Sequence, residues 1–338
     1  MNRAPLLPLL LLGAVACRPA VTIKYMVPAT YTLPPDFQVA AVADRVNREE
    51  SGAATRGLED SISGSERLKL ANPDAVKAAF GRVKTPQGEP LGSAEAGALC
   101  TEAGASGIVT LEGYSVSGDW TYLDTTQEIT ETVTERPADC NDCPSVTKEV
   151  IRQVPAVVAT WSGSVRTDWA VASCAGVALT AGSTGSSGQL EGIGDREADA
   201  REDAGSPEAL EVELSHATGM TFAAHIVPQW RAESRRYFKG GNTDIKAGSK
   251  AARSGDWAKA EDAWTQAIQS SSEKVRGKAC YNLAVAAERD GRFDEALKHA
   301  RKANKLLDGK KGSADYVGIL TDRKGLAEAA EAQLNPQP

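Results

Sequence analysis

GDWAKAEDAWTQAI at residues 255–268 and GRFDEALKHARKAN at residues 291–304 carry the same pattern, offset by thirty-six residues. In each, a glycine and a polar residue, Asp256 or Arg292, make a turn that an aromatic residue, Trp257 or Phe293, seals. Small Ala260 and Ala296 let two helices approach closely, Trp264 fills the gap beyond the first, and Ala267 and Ala303 can pack on a following helix. A helical segment precedes each stretch, so the unit is a pair of helices and the period marks a repeat architecture. Beyond the second copy, Tyr316, Ile319, Leu320, Leu326, Ala330 and Leu334 recur at helical spacing and predict a last helix that caps the array.

The spacing and these residues resemble tetratricopeptide repeats, whose unit is about 34 residues. In the upstream helix of the second unit, CYNLAVAAERDG matches through Leu283, Ala284 and Ala287, whereas DIKAGSKAARSG in the first offers only Ala247, Gly248 and Ala251. Two amphipathic hairpins of an ordinary helical domain are the alternative. The resemblance implies a concave groove for a peptide or protein. There Asn282 matches a position that hydrogen-bonds a ligand backbone, and Lys278, one turn earlier, is placed to pair with a carboxylate. Residues completing a carboxylate clamp are not identifiable.

At the other end, MNRAPLLPLLLLGAVAC orders one basic residue, Arg3, an apolar run over residues 6–12, and small residues before a cysteine. That is the order of a secretory signal. The run falls short of the about 20 apolar residues that span a bilayer. Ala14 and Ala16 leading into Cys17 resemble the lipobox of bacterial lipoproteins, with Ala14 where that motif usually carries leucine; plain cleavage near Ala16 or Ala20 is the alternative. The resemblance implies a signal peptide over residues 1–16, a lipid on Cys17, and a protein anchored in the cell envelope, facing the periplasm from the outer membrane. Residues 17–36, rich in proline and β-branched residues, read as a tether with an edge strand near residues 21–26.

Residues 37–228 read as an α/β domain. FQVAAVA at residues 37–43 is a short apolar run suited to a buried strand, residues 52–63 have helical character, and RLKLA at residues 67–71 offers a second strand. Asn72 and Pro73 supply a cap and a first helical position, Ser93 opens another helix, and residues 107–116 make a third strand. Between residues 157 and 171 the odd positions carry Val157, Ala159, Trp161, Val165, Trp169 and Val171, the period of a half-buried strand. Residues 129–133 and 146–154 are shorter strand candidates flanking Cys140 and Cys143. The Gly/Ser stretch at residues 182–188 and the acidic segment at residues 195–203 read as exposed loop, and Ser206 with Pro207 starts a helix. The fold class is therefore α+β: a mixed sheet with βα units and a long antiparallel hairpin, a linker at residues 229–242, then an all-α repeat array at residues 243–334. The opening FQVAAVADR, CTEAGASGIVTLEGY and GMTFAAHIVP resemble the amino-terminal domain of TolB and the curli-secretion lipoproteins at the level of fold. The linkage of such a domain to a repeat pair through IVPQWRAESRRYFKGGN resembles an uncharacterised lipoprotein family with no settled activity.

Of 38 Lys and Arg and 45 Asp and Glu, 21 and 15 lie from Arg231 onward, so that part carries +6 and the remainder −13. A charge of +6 spread over helices is too diffuse for nucleic acid. Cys140 and Cys143 form a C-x-x-C with no histidine near enough to complete a zinc site, and their setting between two strands favours a disulfide or idle thiols over redox chemistry. No nucleophile elbow, phosphate loop or H-E-x-x-H is present, and GQLEGIGDRE lacks the third glycine of a dinucleotide motif and reads as flexible loop. His216, His225 and His299 share no metal spacing. The expectation is a lipoprotein adaptor without cofactor or catalysis that holds a protein or peptide partner. The alternative is a secretion or pore component, which needs lipid-facing hairpins alternating over about 10 residues.

Overall fold

The computed structural model describes residues 19–135 and 145–336. It divides into two units, and the chain does not pass through them in simple order. One unit is continuous from Ala29 to Val227, while the other joins the segment ending at Pro28 to the segment that starts at Pro228. The first strand, β1 (Ala20–Val27), thus belongs with the helical part and not with the α/β part that follows it.

In the α/β unit, β2 (Val39–Asp44), α1 (Ser51–Ser63), β3 (Lys69–Leu70), α2 (Pro73–Phe80) and α3 (Ser93–Ala103) precede three long strands, β4 (Gly107–Glu135), β5 (Val146–Ser173) and β6 (Ala178–Gly194). Helices α4 (Glu197–Ala204) and α5 (Pro207–Ile226) close it. The sheet order is β3-β2-β4-β5-β6, with β2 parallel to both β3 and β4 and the last three strands antiparallel. Local chemistry explains the helix starts: the Asn72 side chain accepts from the N–H groups of Asp74 and Ala75, and Ser206 accepts from that of Ala209. Along β5 the odd residues Trp161, Val165, Trp169 and Val171 are buried, and Trp169 stacks on Phe222 of α5 with ring centroids 5.1 Å apart.

The Gly/Ser stretch is not a loop but the middle of β6, and the acidic segment contains helix α4. The reason lies in how closely α4 meets the strand. A Cβ added to Gly192 would fall 2.2 Å from the Ala204 nitrogen and 2.3 Å from the Ala200 carbonyl oxygen, and one on Gly194 would fall 2.5 Å from the Ala200 nitrogen. Glycine stands there because a helix backbone lies where side chains would be. The strand candidates at residues 129–133 and 146–154 are parts of β4 and β5, which pair from Gly107 with Ser173 out to Glu135 with Val146. Strand β6 accompanies β5 only as far as Val157. Residues 125–135 and 146–156 therefore continue as a two-stranded arm of roughly 35 Å, at about 3.3 Å per residue. Pro155 lies in this arm, where β5 has no second neighbour whose ladder a proline would break.

The other unit holds β1, β7 (Gln229–Arg236) and five helices: α6 (Thr243–Arg253), α7 (Trp257–Ala267), α8 (Glu273–Arg289), α9 (Phe293–Leu307) and α10 (Ser313–Leu334). Gly255 and Gly291, in the turns within each helix pair, have φ of 85° and 72°, a region that L side chains rarely enter. Ala260, Trp264, Ala267, Ala296 and Ala303 are buried, and Trp264 lies against Gly248, where a Cβ would meet its ring at 2.4 Å. The edge strand expected near residues 21–26 is β1, and within the stretch expected as a linker lies β7; the two pair antiparallel from Ala20 with Arg236 to Val27 with Gln229. Ile23 of β1 and Tyr237, just beyond β7, belong to the same buried core as the helices. Among the described residues, no helix is long and apolar enough to cross a membrane.

Candidate binding site on the helical array

The feature with the geometry of a recognition site is the seat that the helices make for residues 235–240. Asn282 on α8 is fully buried and turns its side-chain amide onto one residue of extended chain. Its Oδ1 accepts from the Phe238 N–H at 2.7 Å, and its Nδ2 donates to the Phe238 carbonyl at 2.8 Å. Ser249 on α6 donates a second bond to that carbonyl at 2.7 Å, and Lys278 Nζ donates to the Gly240 carbonyl at 2.7 Å. Side chains are gripped as well as backbone. Tyr237 meets Trp257 and Trp264 edge to face at 6.0 and 5.8 Å, and Phe238 meets Tyr281 at 5.1 Å.

A charged cluster anchors the same segment one step earlier. Glu288 on α8 is buried; it accepts from the Tyr316 hydroxyl at 2.6 Å and pairs with Arg323, both from α10. Arg235 from β7 brings its Nε to 3.5 Å from Glu288, and its guanidinium lies over the Tyr316 ring at 5.2 Å. Arg323 also pairs with Glu233 of β7 and covers Tyr25 of β1 at 4.2 Å. Burial pushes the Glu288 carboxyl above the ordinary carboxylate range, and the Tyr316 hydroxyl and Arg235 pull it back. Burial beside Glu288 also raises the Tyr316 hydroxyl. Removing one partner from such a cluster leaves an uncompensated charge, so it fixes the ribbon's register as well as holding it.

Asn282 and Lys278, expected to face an open groove, therefore face this chain's own backbone. The α8 positions were legible, but the occupant was not: nothing in QWRAESRRYFKGG states that it lies along the helices until β1 is seen to pair with it. Cys17, Cys140 and Cys143 lie outside the described residues. No local pattern pairs the other cysteines, and the structure joins Cys100 on α3 to Cys174 after β5, 74 residues apart, with Cα atoms 5.8 Å apart. Cys280 is a buried thiol in the array core, its pKa raised by burial. No cluster of three or more metal-ligating side chains occurs among the described residues. His216 contacts Asp60 at 2.8 Å, His225 contacts Thr180 at 3.2 Å, and His299 is near Glu295 at 3.7 Å, so each is placed apart from the others.

The α/β unit has a cavity of about 620 Å³ where β2 ends, lined in part by Asp44, Arg45, Thr55, Glu59, Lys77 and Phe80. Its charged residues on the strand end are already committed. Asp44 accepts from the Val46 and Asn47 N–H groups and the Ser51 hydroxyl, and Arg45 is held by Glu112 and the carbonyls of Thr85, Pro86 and Glu89. They brace the loops around the cavity.

Compared with known families, residues 246–322 match the model of a domain of unknown function, DUF6340. The match runs from α6 into α10, well under half of the chain. No curated protein matches. No solved structure matches.

Proposed function

We propose that this chain is a lipid-anchored envelope protein, held through Cys17, that serves as a protein–protein interaction scaffold through a tetratricopeptide-type helical array and catalyses nothing. The observation that carries the reading is the grip of Asn282 on both backbone groups of Phe238: the array already seats an extended segment of this chain through backbone hydrogen bonds, the chemistry that a bound peptide would use. The paired helices, their left-handed glycine turns and the buried Ala260 and Ala296 support the repeat assignment. The Cys100–Cys174 disulfide supports export, since disulfides persist in oxidising compartments. A protein or peptide of the cell envelope is the partner, with the outer membrane facing the periplasm as the site.

The long β4–β5 arm favours a second reading, a component of a secretion or pore assembly. A barrel wall needs one apolar face, however, and the arm has none. Glu128, Thr130, Glu149 and Gln153 share one side with Ile151, while Glu131 and Arg152 stand among Ile129, Val133 and Val150 on the other. Ion pairs between Lys148 and Glu135 at 2.5 Å and between Arg152 and Glu131 at 3.4 Å fit an arm in water.

Membrane fractionation and size in detergent test these readings together. Cys17→Ser should release the chain from the membrane fraction, and the native chain should run as a monomer or dimer. A chain that stays bound without its cysteine, with an unmodified first residue in the native form, defeats the anchor. A large ring transfers support to the pore.

A further inference from the structure

The cavity at the end of β2 lies where the sheet's connections change sides. Ala40 and Val42 share one core with Leu58 of α1, while Ala41 and Ala43 share another with Val76 and Ala79 of α2. The chain leaves β2 into α1 on one face and leaves β3 into α2 on the other. Because β2 and β3 run parallel, their carboxyl ends open a crevice between the two helices, the place where open α/β sheets take ligands. That crevice is the cavity of about 620 Å³, within the roughly 300–1,000 Å³ of small-molecule sites. Its remaining walls are held in place. Arg45 donates to the carbonyls of Thr85 and Glu89, each at 2.9 Å, which fixes the loop carrying Thr85 and Gln87 at the strand end, and Asp44 ties the turn into α1.

Two opposite charges remain on the walls without such a bracing task. Glu59 of α1 and Lys77 of α2 both line the cavity, and among the described residues neither is held by a hydrogen bond or an ion pair. Glu59 is half-buried. Burial pushes its carboxyl above the ordinary range, with Asp60 acting in the same sense and Arg56 against it, so a cation entering the cavity would supply the counter-charge that water no longer supplies in full. Val42, Val76 and Phe80 add apolar lining. We propose that this cavity binds a small zwitterion with an apolar body, of the class of amino acids and short apolar peptides, its ammonium on Glu59 and its carboxylate on Lys77. A phosphate or other polyanion fits poorly, because the other cation in the lining, Arg45, already holds Glu112 and the loop carbonyls, and Glu59 repels it. An amine without a carboxylate would set its charge against Lys77 with no group to answer it. Neither the lipid anchor nor a partner on the array enters into this binding.

Calorimetric titration of the full chain with leucine, leucyl-leucine and leucyl-leucyl-leucine tests this, the different lengths serving to span the two charges. At least one of them should bind saturably at millimolar concentration. For that ligand, acetylating the amine or amidating the carboxylate should each weaken binding about tenfold or more, the expected loss of a charge-assisted hydrogen bond. Glu59→Gln should weaken the free ligand and remove its advantage over the acetylated form, and Lys77→Met should do the same with respect to the amide. Both variants should unfold thermally like the native chain, since neither side chain braces another residue; if one does not, the blocked ligands on the native chain still decide. No saturable binding of any of these ligands overturns the proposal. Blocked forms that bind as well as the free one, or folded variants that keep native affinity, overturn it too.

Discussion

Asn282 is a single residue on which a stability argument can be made sharply. Its amide satisfies two backbone groups of Phe238, but the carbonyl also receives Ser249, so replacing Asn282 with alanine removes the N–H's acceptor and only one of the carbonyl's two donors. A buried donor that loses its acceptor costs about 1–3 kcal/mol. Asn282→Ala should lower the stability of the helical unit by that amount, measured by denaturant unfolding, while Lys259→Ala on the exposed side of α7 should change it little. Equal shifts from the two would mean that Asn282 contributes no buried hydrogen bond. The resemblance to tetratricopeptide repeats singles the residue out as one that hydrogen-bonds a ligand backbone, and in the structure it bonds the chain's own. Its burial was not legible, because helical periodicity says which face a residue shares and not what covers that face. Lys278 shows the same limit: a lysine one turn away suggests a carboxylate partner, and its bond to the Gly240 carbonyl depends on a turn that no local rule places.

Elements were legible where one face was apolar and polar alternation was strict. The odd positions of β5 announced a half-buried strand, and Asn72 with Pro73 announced the start of α2. Strand β6 was missed because its glycines and serines imitate a loop, and the physical cause lies outside the strand, in the backbone of α4. This gives a paired prediction within one element. A side chain on Gly192 must displace α4, so Gly192→Val should destabilise the α/β unit by roughly 1–3 kcal/mol, the usual cost of overpacking. At Gly185 an added Cβ would meet only the Val165 carbonyl oxygen, at an ordinary 3.6 Å, so Gly185→Ala should be neutral or slightly stabilising. Thermal unfolding of both variants checks the contrast, and similar losses at the two positions would remove the account of β6 as a strand shaped by α4. The length of the β4–β5 arm was illegible for a different reason: its threonines and alternating charges have no buried face to impose a period.

For the whole molecule, the sequence supplied a linear order of signal, tether, α/β domain, linker and array, whereas the chain leaves the helical unit after β1 and returns to it at β7. Strand pairing between residues some two hundred positions apart has no local signature, so this insertion could not be read from periodicity. The disulfide belongs wholly to the inserted unit, tying α3 to the end of β5. Closing a loop of 74 residues removes unfolded-state entropy worth roughly 4 kcal/mol in the chain-entropy account, less any native strain. Each unit has its own buried apolar residues, Leu58, Val109, Trp169 and Phe222 in one and Ile23, Trp264, Val285 and Leu320 in the other. Cys174→Ser should therefore lower the stability of the α/β unit by about 2–4 kcal/mol. The array should keep its own unfolding free energy, because none of its contacts passes through that bond. Amide hydrogen exchange resolves the two directly. Protection should fall across β2, β4 and β5 and α3 in the variant, and stay unchanged in α7 to α10. A uniform loss of protection in both units would show that they unfold as one cooperative body, and would mean that the ribbon transmits the stability of the inserted unit into the helices that hold it.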